Sequence, residues 1–286
     1  MPAARVSPVP PFDLAAAAPG LRPGTDGIWT PQARSAPDYP DEGNAFCFQV
    51  EDHSFWFRYR NERIVETVRR FPPAGTLVDV GGGNGFVARG LRQAGFPAIV
   101  VEPGPVGAKN AAARGLDPVV CATLDDAGFQ PGSLPAVGMF DVLEHLADDR
   151  AVLTELARLL RPDGRLYLTV PAYSWLWSAD DVLVGHHRRY TRGSLTRVVE
   201  AAGFALETDT YLFAPLVLPI LLLRSIPSAL RTREPADVET LTRELRPKEG
   251  IAERLIARLL AIEAWWFGHV GAVPFGSSVL LVARRR

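Results

Sequence analysis

Residues 77–91 read LVDVGGGNGFVARGL, and this stretch decides the fold of the chain. A short apolar run, Leu77–Val80, carries Asp79 and passes directly into the glycine-rich segment Gly81–Gly85. The next residues, Phe86–Ala94, have apolar side chains at helical spacing. The stretch therefore predicts a strand, a glycine turn and a helix. Glycine suits backbone that has positive φ or lies close to a ligand, and the free amides of the helix start can receive a polar or anionic group.

Two classes of cofactor are bound by a turn of this kind. Gly83, Gly85 and Ala88 fit the dinucleotide fingerprint GxGxxA. Gly81, Gly83 and Gly85 also fit GxGxG with an acid two residues earlier. A dinucleotide-binding strand is more often apolar where Asp79 stands, because two phosphates must approach the turn. S-adenosylmethionine (SAM) brings an ammonium and a carboxylate instead, so a carboxylate at the strand end can help to hold its amino group.

Three segments carry a resemblance to a known family. Asp79–Gly85 resembles the first motif, (D/E)xGxGxG, of the class I SAM-dependent methyltransferases. Phe140–Leu146, FDVLEHL, resembles the fourth-strand motif of a bacterial group related to the ubiquinone-pathway O-methyltransferases, and Leu159–Pro171 resembles the segment before the fifth strand. The resemblance implies a Rossmann-like α/β fold with a seven-stranded, mostly parallel sheet and helices on both faces. It also implies an antiparallel last strand between the fifth and sixth strands.

The rest of the chain fits this architecture. Strands alternate with helices from Leu77 to Val170, which predicts a parallel sheet covered on both faces. The predicted strands are Leu77–Val80, Ala98–Val101, Pro118–Cys121, Val137–Asp141, Arg165–Val170, Phe204–Tyr211 and Ser277–Ala283. We expect an extension over residues 1–44, rich in Pro, Ala and Gly, that is flexible or wraps around the surface, and a methyltransferase domain over residues 45–286. Within that domain, residues 213–275 form a hydrophobic helical insertion that is predicted to be a lid or substrate region.

The carboxyl ends of the strands supply the candidate cofactor site. Glu102 ends the second strand about twenty residues after the glycines, where one carboxylate can accept hydrogen bonds from both hydroxyls of a ribose; this holds for NAD as well as for SAM. The resemblance implies adenine contacts after the third strand, an acid beside the methionine end after the fourth, and a preceding helix that covers the pocket. The cofactor-binding candidates are Asp79, Gly81, Gly82, Gly83, Gly85, Glu102, Pro103, Ala122, Thr123, Phe140, Asp141, Trp56 and Arg60.

The loop after the fifth strand, residues 171–191, supplies the candidate acceptor site. In open α/β sheets ligands bind outside the carboxyl ends of the strands, where this loop emerges. Its aromatic rings and polar donors can contact an acceptor, or instead seal the core and pair with Asp180 and Asp181. The substrate-binding candidates are Tyr173, Trp177, His187, Arg188, Arg189 and Tyr190.

Two histidines, His145 and His186, are the catalytic candidates. With a reference pKa of about 6.5, His186 can serve as a general base. A sulfonium is already an activated donor, so alignment of acceptor, methyl carbon and sulfur is the first requirement. Removal of a proton from a hydroxyl acceptor would add a factor of about a hundred or more. His145, His186 and His187 could converge with Asp141 or Glu144 in space, but their sequence spacing is not a ligand pattern, so no metal site is predicted.

The composition indicates which binding partners and which cellular compartment to expect. A formal net charge of −1 over 286 residues excludes a broad phosphate-binding surface, so no nucleic acid partner is expected. Cys47 and Cys121 form no CxxC, and the N-terminus has no secretory pattern, so we expect a cytoplasmic protein. Two apolar stretches of the insertion, FAPLVLPILLL from Phe213 and Ile251–Phe267, indicate burial, an apolar acceptor pocket or peripheral attachment to a membrane. The sequence predicts no oligomeric state.

The sequence as a whole predicts a SAM-dependent methyltransferase with a small-molecule acceptor. We expect a hydroxyl oxygen as the acceptor atom, in a glycan, lipid-linked or secondary-metabolite substrate. Two alternatives stay open at this point. An NAD(P)-dependent oxidoreductase would use Gly83, Gly85, Ala88 and Glu102 but lacks an evident hydride-transfer arrangement. A non-catalytic SAM-binding protein would use the same cofactor site without turnover.

Overall fold

A computed structural model of the chain describes residues 12–32, 41–232 and 250–286, which build one nine-stranded sheet with helices packed on it. The strands are β1 (Leu21–Pro23), β2 (Ile28–Pro31), β3 (Leu77–Val80), β4 (Ala98–Val101), β5 (Val119–Val120), β6 (Leu134–Phe140), β7 (Leu160–Pro171), β8 (Phe204–Leu212) and β9 (Ser278–Arg285). The α-helices are α1 (Leu14–Ala17), α2 (Asp41–Val50), α3 (Phe55–Arg70), α4 (Phe86–Gln93), α5 (Pro105–Ala113), α6 (Leu124–Ala127), α7 (Asp149–Leu159), α8 (Ala179–Leu183), α9 (Arg192–Ala201), α10 (Val217–Ile220), α11 (Ile226–Ala229) and α12 (Ile251–Val270).

The sheet has the order β1-β2-β5-β4-β3-β6-β7-β9-β8. Neighbouring strands from β2 to β7 run parallel, whereas β9 is antiparallel to both β7 and β8. Every residue of β3 and β4 is buried, as expected for central parallel strands covered on both faces. The predicted Rossmann-like fold is confirmed, including the position of the antiparallel last strand.

The predicted strand bounds are accurate for β3 and β4 and differ for the other strands; β6, for example, was predicted as Val137–Asp141 and spans Leu134–Phe140. β3 and β4 have the predicted bounds, Leu77–Val80 and Ala98–Val101. β7 begins at Leu160 rather than Arg165, because Leu160 pairs with Leu134 ahead of a bulge in the register. A bulge inserts residues without interrupting the strand, so the turn signal in RPDG did not end the pairing.

Two strands were not predicted, and both lie in the predicted extension. β1 and β2 form an antiparallel pair, and β2 adds to the sheet through Ile28 beside Val119 and Trp29 beside Val120. Of the two alternatives for the extension, the flexible one is therefore wrong for residues 12–32, because they join the sheet, which has nine strands instead of seven. Without a neighbouring strand, the outer edge of β5 would leave backbone N–H and C=O groups unpaired. β2 covers that edge, although β5 itself has only two residues. Residues 1–11 and 33–40 lie outside the described residues.

The insertion between β8 and β9 is helical where the structure describes it. A 3₁₀ turn at Ala214–Leu216 leads through α10 and a π turn, Leu221–Ser225, into α11. The helix α12 follows after residues 233–249, and the charged helical stretch predicted for Pro235–Glu249 lies in that part, outside the described residues. Among the described helices, none is long and apolar enough to cross a bilayer.

Glu263 on α12 joins the insertion to α3. Its carboxylate is buried and accepts three hydrogen bonds, from the Tyr59 hydroxyl at 2.7 Å and from the backbone amides of Phe213 at 2.7 Å and Ala214 at 2.6 Å. A negative group at the start of a helical segment also complements the free amides there. Glu263 thus ties together α3, the end of β8 and α12.

We expect Glu263→Ala to lower the free energy of unfolding by about 2–4 kcal/mol, because it leaves a buried hydroxyl and two amides without an acceptor. Urea unfolding followed by circular dichroism measures the change. The matched control is Glu62→Ala on α3, whose side chain is 59% exposed and which should change the free energy of unfolding by less than about 0.5 kcal/mol. Equal effects of the two substitutions would show that Glu263 does not join these elements energetically.

Candidate functional site

The glycine turn between β3 and α4 has the backbone that the motif requires. Gly81 and Gly85 have φ values of 67° and 74°, a region that side chains other than glycine rarely adopt. A Cβ atom on Gly85 would lie 2.3 Å from Leu116 Cδ1, and one on Gly81 would lie 2.7 Å from Val142 Cγ2. Both the backbone conformation and the close packing therefore exclude larger residues at Gly81 and Gly85. The contact with Val142 also shows that the turn after β6 lies directly against the glycine turn.

Glu102 holds the same turn from the neighbouring strand. Its carboxylate is buried and accepts hydrogen bonds from the backbone amides of Gly83 and Gly104, both at 2.8 Å. The Asn44 side chain donates to it at 3.4 Å from α2. These contacts fix the Glu102 carboxylate beside the glycine turn, and its contact with the ribose hydroxyls stays a prediction. Asn44 was not among the sequence candidates, and no sequence signal marks it, because it lies at the border of the expected extension.

Asp79 is buried behind the glycine turn, with one carboxylate oxygen, Oδ2, that meets no hydrogen-bond partner. Burial, with a smaller contribution from the nearby Glu102, raises the pKa of this carboxyl to about 7, against the lowering effect of Arg60. An ammonium group bound beside it would supply the missing partner and favour the ionised form. The residue fits the predicted contact with the amino group of SAM, and the contact stays a prediction.

S-adenosylhomocysteine (SAH) is expected to bind about tenfold more tightly at about pH 8 than at about pH 6. The sign follows from the raised pKa of Asp79, since the carboxyl is protonated below about pH 7 and attracts an ammonium only above it. Calorimetric titrations across this range measure the effect. Asp79→Asn should remove it, while Asp52→Asn, a change of an exposed carboxylate, should preserve it. A pH dependence that survives Asp79→Asn would assign the titrating group elsewhere.

The helix α3 reaches the end of β6 through Arg60. The Arg60 guanidinium forms an ion pair with Asp141, and its central carbon lies 4.5 Å from the centre of the Trp56 ring. Trp56 in turn stacks on Phe213 of the insertion, with ring centres 5.6 Å apart. Asp141 also accepts a hydrogen bond from the Thr169 hydroxyl at 3.0 Å. The structure therefore brings Trp56, Arg60 and Asp141 together, and their contacts with a cofactor stay predictions.

The remaining cofactor candidates lie at the ends of β4, β5 and β6. The Cys121 thiol contacts the Pro103 carbonyl oxygen at 3.8 Å, so the turns after β4 and β5 are adjacent. Ala122 is buried, and the Thr123 hydroxyl accepts a hydrogen bond from the Asp126 amide at 3.0 Å and caps α6. Phe140 is buried in the core beneath the site. Their predicted contacts with the cofactor remain predictions.

The two candidate catalytic histidines lie in edge-to-face contact, with ring centres 4.7 Å apart. His186 Nδ1 lies 2.8 Å from Asp181 Oδ1, and Arg189 binds the same carboxylate at 2.7 and 2.9 Å. Burial raises the pKa of Asp181, but the hydrogen bonds from His186 and Arg189 outweigh burial and bring the pKa to about 2. Burial, with the neighbouring His186, lowers the pKa of His145 to about 4. An ionised Asp181 therefore orients His186, and His145 is neutral at physiological pH.

The substrate candidates in the acceptor loop are largely bound to the protein itself. The Arg188 guanidinium and the Tyr190 hydroxyl both contact Asp149, at 2.9 and 2.8 Å. Tyr173 stacks on both Trp175 and Tyr211 with ring centres 5.0 Å apart. The pair of Arg189 with Asp181 corresponds to the packing alternative for the loop. The contacts with Asp149 were beyond sequence reasoning, because Asp149 lies on α7. The His187 side chain is exposed and Trp177 is half-buried; substrate contacts of the six candidates stay predictions.

Glu144 is the second functional candidate that sequence reasoning left out of the site. It lies fully buried in the 3₁₀ turn Leu143–His145 after β6, and its oxygens meet no hydrogen-bond partner from another residue. Burial and the adjacent Asp141 raise the pKa of this carboxyl well above its usual value. Its position within LEH was visible in the sequence, but its burial beside His186 was not.

A family comparison matches the chain to the family described as a methyltransferase domain, over residues 56–209. Curated relatives are ubiquinone biosynthesis O-methyltransferases. The protein of Xanthomonas oryzae pv. oryzae is 33% identical over 99 residues, which cover 32% of this chain and 41% of the relative. That of Xanthomonas axonopodis pv. citri is 34% identical over 114 residues, which cover 37% and 48%. The matched part is thus less than half of these relatives' length.

Solved structures agree in fold. A chain in the complex between the Haloferax volcanii Trm112 methyltransferase activator and a methyltransferase superposes with a TM-score of 0.56 and 19% identity, covering 88% of this chain and 97% of that one. Phosphoethanolamine N-methyltransferase 2 of Haemonchus contortus, solved with SAM, has a TM-score of 0.53 and 18% identity over 86% of this chain and 57% of that one. At this identity the likeness shows the fold alone.

Proposed function

Since the chain belongs to the SAM-dependent methyltransferase family, whose cofactor is S-adenosylmethionine, we propose that it methylates a hydroxyl oxygen of a small-molecule acceptor. The observation that carries the choice of oxygen is the arrangement of Arg189, Asp181 and His186. A hydroxyl acceptor must lose a proton, and an imidazole held by a buried carboxylate suits this task. The sequence relatives, which are O-methyltransferases, support the same choice.

The residues around the glycine turn fit the cofactor. Asp79 has a buried oxygen without a partner, and the turn leaves no room for side chains at Gly81 and Gly85. In the proposed complex Glu102 accepts the ribose hydroxyls, and Asp79 holds the amino group. Arg60, which the structure pairs with Asp141, binds the cofactor carboxylate in the same proposed complex. Bound SAM supplies an electrophilic methyl group on a sulfonium.

Proton transfer is the part of the reaction that the protein performs. The acceptor oxygen forms a bond to the methyl carbon as the carbon–sulfur bond breaks, and SAH leaves with the electron pair of that bond. His186 Nε2 takes the hydroxyl proton, while Asp181 stabilises the resulting imidazolium through Nδ1. His145, whose pKa is lowered, packs against the His186 ring and restricts its orientation.

The proposal is tested with SAM labelled in its methyl group and a panel of hydroxylated acceptors. Transfer of label to an oxygen of one acceptor class would support it. Saturable SAH binding without transfer to any acceptor would favour a non-catalytic SAM-binding protein. Binding of NADH or NADPH in place of SAH would favour an oxidoreductase and overturn the proposal.

We further propose an apolar, lipid-linked acceptor reached at an anionic membrane surface. The described part of the insertion exposes an unusual number of large apolar side chains: Leu218, Leu222, Leu223, Ile226, Leu230, Leu255, Leu259, Ile262, Trp265, Trp266, Val270 and Phe275. Exposed arginines, Arg231, Arg254 and Arg258, accompany them. Tryptophan, leucine and arginine on one side of a helix are typical of segments that lie in a membrane interface.

Vesicle flotation tests this second proposal. The protein should float with vesicles that contain phosphatidylglycerol, and the double variant Ile262→Ser and Trp265→Ser should not. The control is Val182→Ser in the acceptor loop, which removes an equally exposed apolar side chain. If the protein itself stays at the bottom of the gradient, membrane contact is ruled out and only a soluble apolar acceptor remains.

A further inference from the structure

One cluster of potential metal ligands lies at the acceptor side of the site. Glu144, His145 and His186 each direct one ligand atom into a common volume, in which these atoms lie within 4.8 Å of one another. Glu144 and His145 come from the turn after β6, whereas His186 comes from the loop after α8. The sequence predicted no metal site, because these residues are about forty positions apart in the chain.

We propose that Glu144, His145 and His186 bind a divalent transition-metal ion. The first argument is Glu144, which is 0% exposed and whose two carboxylate oxygens meet no hydrogen-bond partner from another residue. A buried polar group without a partner is costly, and native proteins rarely leave one. A cation bound by the carboxylate would remove that cost.

The second argument is the orientation of His186. Because Nδ1 lies 2.8 Å from Asp181 Oδ1, the ring proton belongs on Nδ1 and the lone pair on Nε2. Nε2 lies 3.9 Å from Glu144 Oε1, too far for a hydrogen bond. When two ligand atoms each lie about 2.0–2.2 Å from the same ion, the distance between the two ligand atoms is a little less than this 3.9 Å. A carboxylate that fixes the second nitrogen of a histidine is also the usual support of a metal ligand.

The third argument is charge. Three carboxylates are involved: Glu144 in the cluster, Asp141 near Glu144, and Asp181 on Nδ1 of His186. Two of them are paired with guanidinium groups, Asp141 with Arg60 and Asp181 with Arg189. With all five groups ionised one negative charge is left, which a divalent ion reverses. Two imidazoles and one carboxylate favour zinc, cobalt, manganese or iron over magnesium or calcium, which prefer oxygen ligands alone.

The ion would act on the acceptor, and this step rests on the proposed function. Three protein ligands leave further coordination positions, one of which the acceptor hydroxyl can occupy. An oxygen bound to such an ion would lose its proton at a much lower pH, and because the lone pair of His186 Nε2 would be on the ion, the proton would pass to solvent water. His186 then promotes deprotonation through the ion rather than by taking the proton itself. Binding of the ion does not depend on the identity of the acceptor.

Cobalt(II) is the probe for the test, because its visible absorption reports coordination by nitrogen and oxygen ligands. Tag-free protein is stripped with EDTA, dialysed and titrated with Co²⁺, and Zn²⁺ is titrated by calorimetry. We expect one equivalent to bind. Glu144→Gln and His186→Asn should each weaken binding at least tenfold, and Asp181→Asn should weaken it by about tenfold through loss of orientation.

The matched control is His53→Asn, which removes an exposed histidine outside the cluster and should leave the Co²⁺ affinity unchanged. SAH binding and the thermal melting curve are measured on each variant to show that it is folded. Absence of stoichiometric Co²⁺ and Zn²⁺ binding to the wild-type protein, or equal affinity in folded Glu144→Gln, would overturn the site. Co²⁺ binding without SAH binding would leave the metal site standing and contradict the proposed function.

Discussion

Glu102→Ala is expected to weaken SAH binding by at least tenfold, and this is the largest effect that we predict on the cofactor. The substitution removes the predicted acceptor for the ribose hydroxyls. It also removes the acceptor of the Gly83 and Gly104 amides, so the glycine turn loses its anchor on β4. Hydrogen bonds to charged groups contribute about 1.5–3 kcal/mol each, and loss of even one corresponds to about tenfold or more in affinity.

The measurement is a calorimetric titration with SAH, with NADH and NADPH as parallel titrants. Glu155→Ala is the control, since Glu155 pairs with Arg158 on the surface of α7, away from the glycine turn. It should bind SAH as the wild-type protein does. An unchanged dissociation constant in Glu102→Ala would remove Glu102 from the cofactor site and would call the whole placement of the ribose into question.

His186→Asn is expected to lower kcat about a hundredfold while leaving the dissociation constant of SAH unchanged. His186 is held by Asp181 on the acceptor side, and asparagine cannot take a proton or ligate a metal in its place. The same loss is expected whether His186 acts directly or through an ion, because Nε2 is the active atom in both cases.

Single-turnover methyl transfer with labelled SAM measures this loss. Asp181→Asn should lower kcat in the same direction, since it removes the charge that orients the imidazole. His53→Asn, with an exposed histidine elsewhere, is the control and should retain full turnover. Full turnover by His186→Asn would leave a methyltransferase that works by alignment of its substrates alone.

Much of the sheet could be predicted because its signals are local. The glycines at 81 and 85 need positive φ, and this requirement is visible in the residue types themselves. The buried strands β3 and β4 are short apolar runs between turn signals, and their predicted bounds match the structure. The antiparallel position of β9 came from the family resemblance, since no local pattern specifies which strands a segment pairs with.

The extension shows where local signals fail. Ile28–Pro31 is too short and too close to proline and glycine to predict a strand. It becomes one because the edge of β5 offers free backbone groups for Ile28 and Trp29. Asn44 was missed because no local pattern marks it; only the packing of α2 brings its side chain to Glu102.

The sequence by itself determined the glycine turn, the order of strands and helices around it, and the residue types available at the carboxyl edge of the sheet. These depend on backbone preference and apolar periodicity, which act within a few residues. Only the tertiary structure decided how the polar residues pair. It joined Arg188 to Asp149 and Arg60 to Asp141, and it brought His186 to the buried Glu144. Such pairings depend on burial and distance between elements far apart in the chain, which no local pattern contains.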